Sequence, residues 1–311
     1  MTSQKIAVLA TGGTIAGRSG SAHDNVGYTA AQLSIVEMLA SIPVPAGLEV
    51  VGEQVAQVDS KDMSFDIWRT LAQRCAHWSA RPDIAGLVIT HGTDTLEETA
   101  YFLHRVLDAG KPVVLTCAMR PATSLAPDGP QNVVDAMVAA ATPRAQGVVV
   151  VCAGVVHSAL DVAKQHTYRL DAFTSGDAGP TGYVEEGVVR LVKPWPARTG
   201  QALVDFANLD RAAVWPRVEI VMNYAGASGA LVDALVQQGV QGLVAAGTGD
   251  GTLSGELEAS LVRALDAGVA VVRGTRCAQG RVLPHDGAAL ADSRGLSPVK
   301  ARVDLLLRLL R

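Results

Sequence analysis

The sequence lacks features that mark several classes of protein. Its apolar runs, such as residues 147–156, have the length of a strand rather than of a membrane helix, and no positive segment followed by an apolar one precedes them at the N-terminus. Lysine and arginine total 26 against 30 aspartate and glutamate, and no basic run is suited to follow a phosphate backbone. We therefore expect neither a membrane nor nucleic acid as a partner.

Cysteine and histidine are also sparse and scattered. Cys75, Cys117, Cys152 and Cys277 show no metal-ligand spacing, and the seven histidines form no metal triad, so we predict no metal. We expect buried, reduced thiols, because a chain of this length needs no disulfide framework. These features favour a cytoplasmic protein, and a trimmed periplasmic mature form would give the same sequence.

The order of predicted elements indicates two domains. The 311 residues exceed the usual size of one domain, and from residue 5 to 151 short β-branched runs alternate with helical stretches, which predicts a parallel sheet. A stretch interrupted by proline and glycine at 191–215 is interpreted as a linker between domains at 1–190 and 216–311. The predicted strands of the first domain are 6–10, 48–58, 86–90, 112–117 and 148–153.

Polar loops follow four of these strands. ATGGTIAG at 10–17 and ITHGTDT at 89–95 are similar Thr/Gly segments after the first and third strands, and DSKDM at 59–63 and AMRP at 118–121 follow the second and fourth. Since the carboxyl ends of parallel strands meet at one edge of the sheet, the four loops converge on one crevice. Two threonine turns, one with an adjacent acid, suggest a hydroxyl nucleophile and its activating groups.

Purely structural interpretations of the same residues fit the sequence as well. Thr14, after Gly12 and Gly13, fits either a nucleophile facing the crevice or the cap of a strand-to-helix turn. A nucleotide cradle fits less well, since the lysine and the third glycine of such loops are missing. The helix predicted at 93–108 begins with a TLEE capping box at 95–98.

A threonine hydroxyl requires a base that removes its proton. Tyr28, at the end of a glycine-rich stretch predicted to be a mobile lid, and Lys164 are the candidates; the alternatives are a packed aromatic ring and a solvated charge. Asp94 fits a helix-start acid or an anchor for a substrate ammonium group. Ser60 and the N-terminus of the following helix suit a small carboxylate.

These motifs resemble the bacterial-type L-asparaginase and glutaminase-asparaginase family, over almost the whole chain. TGGTIAG at 11–17 and ITHGTDTLEET at 89–99 are similar to its two active-site signatures, and further family segments match AMRP at 118–121, DGP at 128–130, DVAK at 161–164 and VMNY at 221–224. The resemblance implies an α/β fold of two αβα domains with mainly parallel sheets, a larger N-terminal Rossmann-like domain and a smaller flavodoxin-like C-terminal domain. It also implies a homotetramer of intimate dimers, with the sites at the intimate dimer interface.

The resemblance implies hydrolysis of the side-chain amide of L-asparagine to L-aspartate and ammonia, without a cofactor. Thr14 would attack the amide carbon with help from Tyr28, and Thr93, Lys164 and Asp94 would transfer protons. Side activity on L-glutamine or D-asparagine is compatible with this chemistry. The residues implied to contact the substrate are Gly13, Ser60, Lys61, Thr93, Asp94 and Ala118.

The sequence departs from the family pattern at three places, which concern substrate preference rather than the Thr14 chemistry. Lys61 replaces a common glutamine, and Thr252 replaces an asparagine or serine contributed by the neighbouring subunit. The stretch 277–289 is shorter than usual, and the acid that commonly reaches the partner's substrate amino group is not assigned to a residue of this sequence. Two rival functions remain. The amide-cleaving subunit of a tRNA-dependent amidotransferase is disfavoured by the charge, and a catalytically silent amino-acid sensor is disfavoured because the reactive residues are all retained.

Overall fold

The computed structural model describes residues 4–197, 202, 204, 206–211, 214–284 and 287–310. It divides into a larger unit at 1–202 and a smaller unit at 203–311. The linker predicted at 191–215 lies partly outside the described residues; its first residue, Leu191, ends a strand, and Phe206–Arg211 form a helix. The domain limits given above stay a prediction.

The described part of the larger unit contains two sheets with helices between the strands. The elements are β1 (Gln4–Gly12), α1 (Ile35–Ala40), β2 (Leu48–Val58), α2 (Phe65–Ala80), β3 (Ile84–Thr90), α3 (Leu96–Val106), β4 (Val113–Thr116), α4 (Gly129–Ala141), β5 (Val148–Cys152), β6 (Val155–Ser158), β7 (Ala163–Lys164), β8 (Phe173–Thr174), β9 (Gly182–Glu185) and β10 (Val188–Leu191). The order across the eight-stranded sheet is β10-β9-β6-β5-β4-β3-β1-β2, and β7 and β8 form the two-stranded sheet.

The central strands of this sheet are buried and parallel. β3, β4 and β5 are almost wholly apolar, which is typical of a sheet covered by helices on both faces. The pairs β1–β2, β1–β3, β3–β4 and β4–β5 are all parallel, which confirms the predicted parallel sheet. β2 and β3 flank β1 on opposite sides, so the order in which successive strands are added to the sheet reverses at β1. At such a point a crevice is expected beside the carboxyl ends of β1 and β3.

The strand predicted at 148–153 corresponds to β5, and the apolar run that contains it continues into β6 as an antiparallel hairpin, because Ala153 (φ 50°) and Gly154 (φ 73°) form a turn in the left-handed region. One local prediction was wrong. The capping box at the start of α3 is absent: the Thr95 side chain makes no cap hydrogen bond and instead donates to the Ser60 carbonyl at 2.8 Å.

The smaller unit consists of α5 (Phe206–Arg211), β11 (Val218–Met222), α6 (Ala230–Gln237), β12 (Gly242–Gly247), α7 (Gly255–Asp266), β13 (Ala270–Thr275), β14 (Ala291–Asp292) and α8 (Pro298–Leu309). Its strands form a parallel sheet of order β11-β12-β13-β14. No helix in the described residues of the chain is long and apolar enough to cross a membrane.

The four cysteines are free thiols, and three of them, Cys75, Cys117 and Cys152, are buried as predicted. Cys277 is exposed, so the prediction was wrong there. It follows β13 in an irregular segment, where its Sγ lies 3.7 Å from the Gly249 carbonyl oxygen.

Candidate active site

Thr14 lies at the carboxyl end of β1 in contact with Tyr28. Gly12 (φ 106°) and Gly13 (φ 84°) bend the chain sharply, and a side chain at Gly12 would place its Cβ 2.5 Å from the Val58 carbonyl oxygen. Thr14 then begins a short 3₁₀ turn and is only 6% exposed. Its Oγ1 lies 2.6 Å from the Tyr28 hydroxyl. The structure therefore brings the candidate nucleophile and one candidate base into hydrogen-bond contact.

The two ends of the predicted lid are joined by their backbones. Arg18 and Thr29 form an isolated antiparallel bridge, which brings Tyr28 back toward Thr14. The lid is also joined to the loop after β4: the Ser19 amide donates to the Thr123 Oγ1 at 2.8 Å, and the Ala122 amide donates to the Gly17 carbonyl at 3.0 Å. These contacts fix the position of Tyr28 in the described conformation.

Lys164 connects the second pair of candidate residues. Its Nζ donates to Thr93 Oγ1 at 2.8 Å and to Asp94 Oδ1 at 2.7 Å. The two-stranded sheet positions the lysine, since Lys164 pairs with Phe173 across β7 and β8. Thr93 is 6% exposed, and the Lys164 side chain is 18% exposed, so this hydroxyl and this ammonium group are largely shielded from water.

The two threonine loops touch through glycine. A Cβ built on Gly13 would lie 2.4 Å from the Gly92 Cα, and a Cβ on Gly92 would lie 2.5 Å from Ser60 Oγ. Ser60 is buried, and its Oγ accepts a hydrogen bond from the Asp94 amide at 3.1 Å. The loops after β1, β2 and β3 thus pack directly against one another, which accounts for the convergence that the sequence predicted.

The loop after β4 is built around Asp128, which sequence reasoning did not assign. Its carboxylate accepts from the Met119 amide at 2.9 Å and the Arg120 amide at 3.0 Å, so it fixes the backbone that follows Ala118. Gly129 faces Ile15 and Ala118, and its ideal Cβ would lie 2.9 Å from Ile15 Cγ1. The DGP motif at the start of a helix was the signal available in the sequence.

Lys61 lies beside Ser60 but already has acidic partners. Its Nζ lies 2.6 Å from Asp59 Oδ2 and 3.6 Å from Asp62 Oδ2, and its side chain is 63% exposed. The hydrogen bond to Asp59 raises the pKa of Lys61. Sequence reasoning missed Asp59, and contact of Lys61 with a substrate stays a prediction.

His91, the residue before Gly92, is a buried histidine next to this site. It is fully buried, and its Nδ1 donates to the Gly92 carbonyl at 2.7 Å. Burial lowers the pKa of His91 to about 4, because the charged imidazolium loses its hydration. Among the residues that the structure describes, no group of three or more histidine, cysteine or acidic side chains is arranged to hold a metal ion.

Two of the three places where the sequence departs from the family pattern, Thr252 and the stretch 277–289, lie in the smaller unit. Thr252 Oγ1 lies 2.9 Å from Thr248 Oγ1, and Asn223 Nδ2 donates to Thr248 Oγ1 at 3.2 Å, so this threonine belongs to a local hydroxyl and amide cluster. The short stretch 277–289 includes residues 285 and 286, which lie outside the described part of the chain.

Comparison with known proteins identifies the family. The model "Asparaginase, N-terminal" matches residues 5–196, and the model "Glutaminase/Asparaginase C-terminal domain" matches residues 217–311. The chain belongs to the asparaginase family. The predicted resemblance is thereby confirmed across both matched regions.

Individual members of the asparaginase family match along nearly the full chain. The chain is 40% identical to L-asparaginase 2 of Escherichia coli (strain K12), covering 98% of this chain and 88% of that protein. It is 35% identical to a glutaminase-asparaginase of Pseudomonas fluorescens biotype A, covering 96% and 84%. A solved structure of a probable cytoplasmic L-asparaginase from Campylobacter jejuni has a TM-score of 0.93 at 37% identity and covers 99% of this chain and 95% of that chain. These matches confirm the two-domain α/β fold class.

Proposed function

We propose that this protein hydrolyses the side-chain amide of L-asparagine to L-aspartate and ammonia through Thr14. The observation that carries the proposal is the 2.6 Å contact between Thr14 Oγ1 and the Tyr28 hydroxyl, at a loop packed against the one that bears Thr93. Family membership and the names of the E. coli and C. jejuni relatives support the choice of substrate.

The first half-reaction forms an ester on Thr14. The Tyr28 oxygen accepts the Thr14 proton as Oγ1 bonds to the amide carbon, and the carbonyl oxygen takes up negative charge. Backbone amides around Gly13, Thr93 and Ala118 are proposed to stabilise that charge. The C–N bond then breaks, Tyr28 passes the proton taken from Thr14 to the leaving nitrogen, and ammonia departs.

The second half-reaction consumes water. Lys164, hydrogen-bonded to both Thr93 and Asp94, is proposed to move the protons through the Thr93 hydroxyl as water attacks the ester carbon and releases Thr14. Ser60 and Asp94 are proposed to hold the α-carboxylate and α-ammonium groups of the substrate, with Lys61 at the carboxylate end. The proposal needs no cofactor.

Replacing Thr14 tests this assignment directly. Thr14→Ala should lose ammonia release by roughly 10³-fold or more because it removes the attacking oxygen, whereas Thr14→Ser retains a hydroxyl and should keep measurable turnover. Circular dichroism and the thermal midpoint of both variants should match the wild type. Full activity of Thr14→Ala would overturn the proposal.

Glutamine is a second substrate to consider, because the P. fluorescens relative is named a glutaminase-asparaginase. We propose side activity on L-glutamine or D-asparagine at the same nucleophile. Turnover of all three amides should be measured on one preparation and repeated with Thr14→Ala. Glutamine hydrolysis that survives this substitution would place the side activity at another nucleophile.

We further propose a homotetramer in the cytoplasm. The resemblance supports the assembly, and the C. jejuni relative, described as probable cytoplasmic, supports the location. Light scattering coupled to size exclusion tests the assembly: a mass near one chain would contradict it. Fractionation of the native host tests the location, since recovery in the periplasmic fraction would contradict it.

A further inference from the structure

Two buried cysteines lie side by side directly behind the catalytic edge of the sheet. Cys152 ends β5, and Cys117 follows β4 by one residue. Because Thr116 pairs with Val151 in the parallel register of these strands, the next position on each strand holds a cysteine. The two Sγ atoms lie 2.8 Å apart, and the two residues are only 1% and 4% exposed.

The backbone on both sides of this pair is held by one side chain. Asn132 of α4 donates from Nδ2 to the Cys117 carbonyl at 2.9 Å, and its Oδ1 accepts from the Ala153 amide at 2.9 Å. Paired residues on neighbouring strands lie about 5 Å apart. That spacing lies within the roughly 4.4–6.8 Å between Cα atoms that a disulfide spans. The strand register and the 2.8 Å between the two Sγ atoms therefore bring both thiols within reach of each other.

We propose that Cys117 and Cys152 are a redox pair that closes to a disulfide when the chain folds in a thiol-oxidising medium. The inference goes beyond the amide hydrolysis, because neither sulfur has a role in it. A suitable oxidant is a small disulfide such as oxidised glutathione. The linked pair would join the carboxyl ends of β4 and β5 immediately before Ala118.

The chemistry is thiol–disulfide exchange in two steps. One cysteine thiolate attacks oxidised glutathione, which forms a mixed disulfide and expels one glutathione thiolate. The second cysteine thiolate attacks the protein sulfur of the mixed disulfide and expels the other. The protein loses two electrons and two protons, and one oxidised glutathione becomes two reduced molecules.

The disulfide between Cys117 and Cys152 forms while the chain folds, not in the folded protein. Burial raises the pKa of the Cys117 thiol, and contact with Cys152 raises it further. The thiolate is the attacking species, so the folded structure disfavours attack by Cys117, and the burial of both sulfurs excludes a bulky reagent. While the chain is folding, both sulfurs are still accessible, and the native register then brings them together.

The test compares refolding in two media. The reduced, unfolded full chain is refolded with dithiothreitol or with a mixture of reduced and oxidised glutathione, blocked with an alkylating reagent, and mapped by mass spectrometry. In the glutathione mixture we expect two of the four thiols to be lost and the peptides containing Cys117 and Cys152 to be joined. The joined protein should unfold at a higher temperature than the reduced one, and dithiothreitol should abolish the gain.

Two variants serve as matched controls. Cys75→Ala removes another fully buried cysteine and should leave the link intact, whereas Cys152→Ala should leave Cys117 free. Should Cys152→Ala fail to fold, the wild-type peptide map still decides. Four free thiols after refolding in the glutathione mixture, a link that maps to Cys75 or Cys277, or an unchanged midpoint of the linked protein would overturn the proposal.

Discussion

Gly13 and Gly92 pack backbone against backbone, so closely that a Cβ on Gly13 would lie 2.4 Å from the Gly92 Cα. Each glycine is followed by a threonine of the candidate site. The contact therefore couples the Thr14–Tyr28 pair to the set formed by Thr93, Asp94 and Lys164. Glycine is required at both positions because any side chain would separate the two loops.

Gly92→Ala tests this packing without changing a polar group. The added methyl would lie 2.5 Å from Ser60 Oγ, so the loops must move apart. We expect a loss of stability of about 1–3 kcal/mol. We also expect kcat/KM for asparagine to fall by roughly 10²-fold, since displacement of reacting groups by about 1 Å has effects of that size. Urea unfolding and ammonia release measure the two quantities.

Gly255→Ala is the matched control for this substitution. Gly255 begins α7, and a Cβ there would have no atom within 4 Å. The variant should retain wild-type activity and stability. Equal activity of Gly92→Ala and the wild type would show that the close glycine contact is not needed for the site.

The sequence predicted β1, β3 and β4 and the loops that follow them because each of these strands is largely an apolar run that ends in a segment with polar residues. Contacts that depend on tertiary packing were not predictable in this way. The pattern at 95–98 is a good capping box, yet the Thr95 hydroxyl donates to the Ser60 carbonyl, because packing of the two loops supplies that acceptor. Asp128 was missed for the same reason: its partners, the amides of Met119 and Arg120, become neighbours only when the loop folds over the start of α4.

Tyr28→Phe removes the hydroxyl at 2.6 Å from Thr14 and keeps the ring. Loss of a positioned proton acceptor typically costs 10²–10⁴-fold, so we expect kcat to fall by about that factor. The substrate's charged groups are held elsewhere in the proposed pocket, so KM should change little. Steady-state ammonia release at saturating and limiting asparagine separates the two parameters.

Tyr183→Phe is the comparison for this variant. Tyr183 is also half-buried, but it lies on β9, where Arg190 stacks 5.0 Å from its ring centroid. Its loss of a hydroxyl should leave kcat unchanged. Wild-type kcat in Tyr28→Phe would exclude the tyrosine as the base and favour another acceptor for the Thr14 proton.

Lys164 and Asp94 are expected to act as one unit in proton transfer. Lys164→Met and Asp94→Asn each break the 2.7 Å pair, and each should reduce kcat by roughly 10²–10⁴-fold. Because both substitutions disable the same unit, the double variant should lose much less than the product of the two losses. Stability should change by only about 1 kcal/mol, since the Asp94 side chain is half-exposed.

An exposed pair of equal length gives the control. Arg190 on β10 and Glu185 on β9 also lie 2.7 Å apart, but these strands are at the end of the large sheet opposite to β1, whose loop carries Thr14. Arg190→Met and Glu185→Gln should leave kcat unchanged. Multiplicative losses for Lys164→Met and Asp94→Asn would mean that the two residues act independently.

His91 should make the protein less stable in mild acid. Its pKa is lowered to about 4 in the folded protein, against an ordinary value of 6.5. Between these values the unfolded chain binds a proton that the folded chain does not, so the free energy of unfolding falls as the pH decreases from about 6.5 to about 4. The shift corresponds to about 3 kcal/mol, and above pH 6.5 this contribution to the pH dependence vanishes.

His91→Asn retains a donor for the Gly92 carbonyl but cannot titrate, so its unfolding free energy, measured with urea across this range, should change less steeply with pH than that of the wild type. His23→Asn, at an exposed position, should keep the wild-type slope. If His91→Asn and the wild type show the same slope, the buried imidazole is not the group that titrates on unfolding.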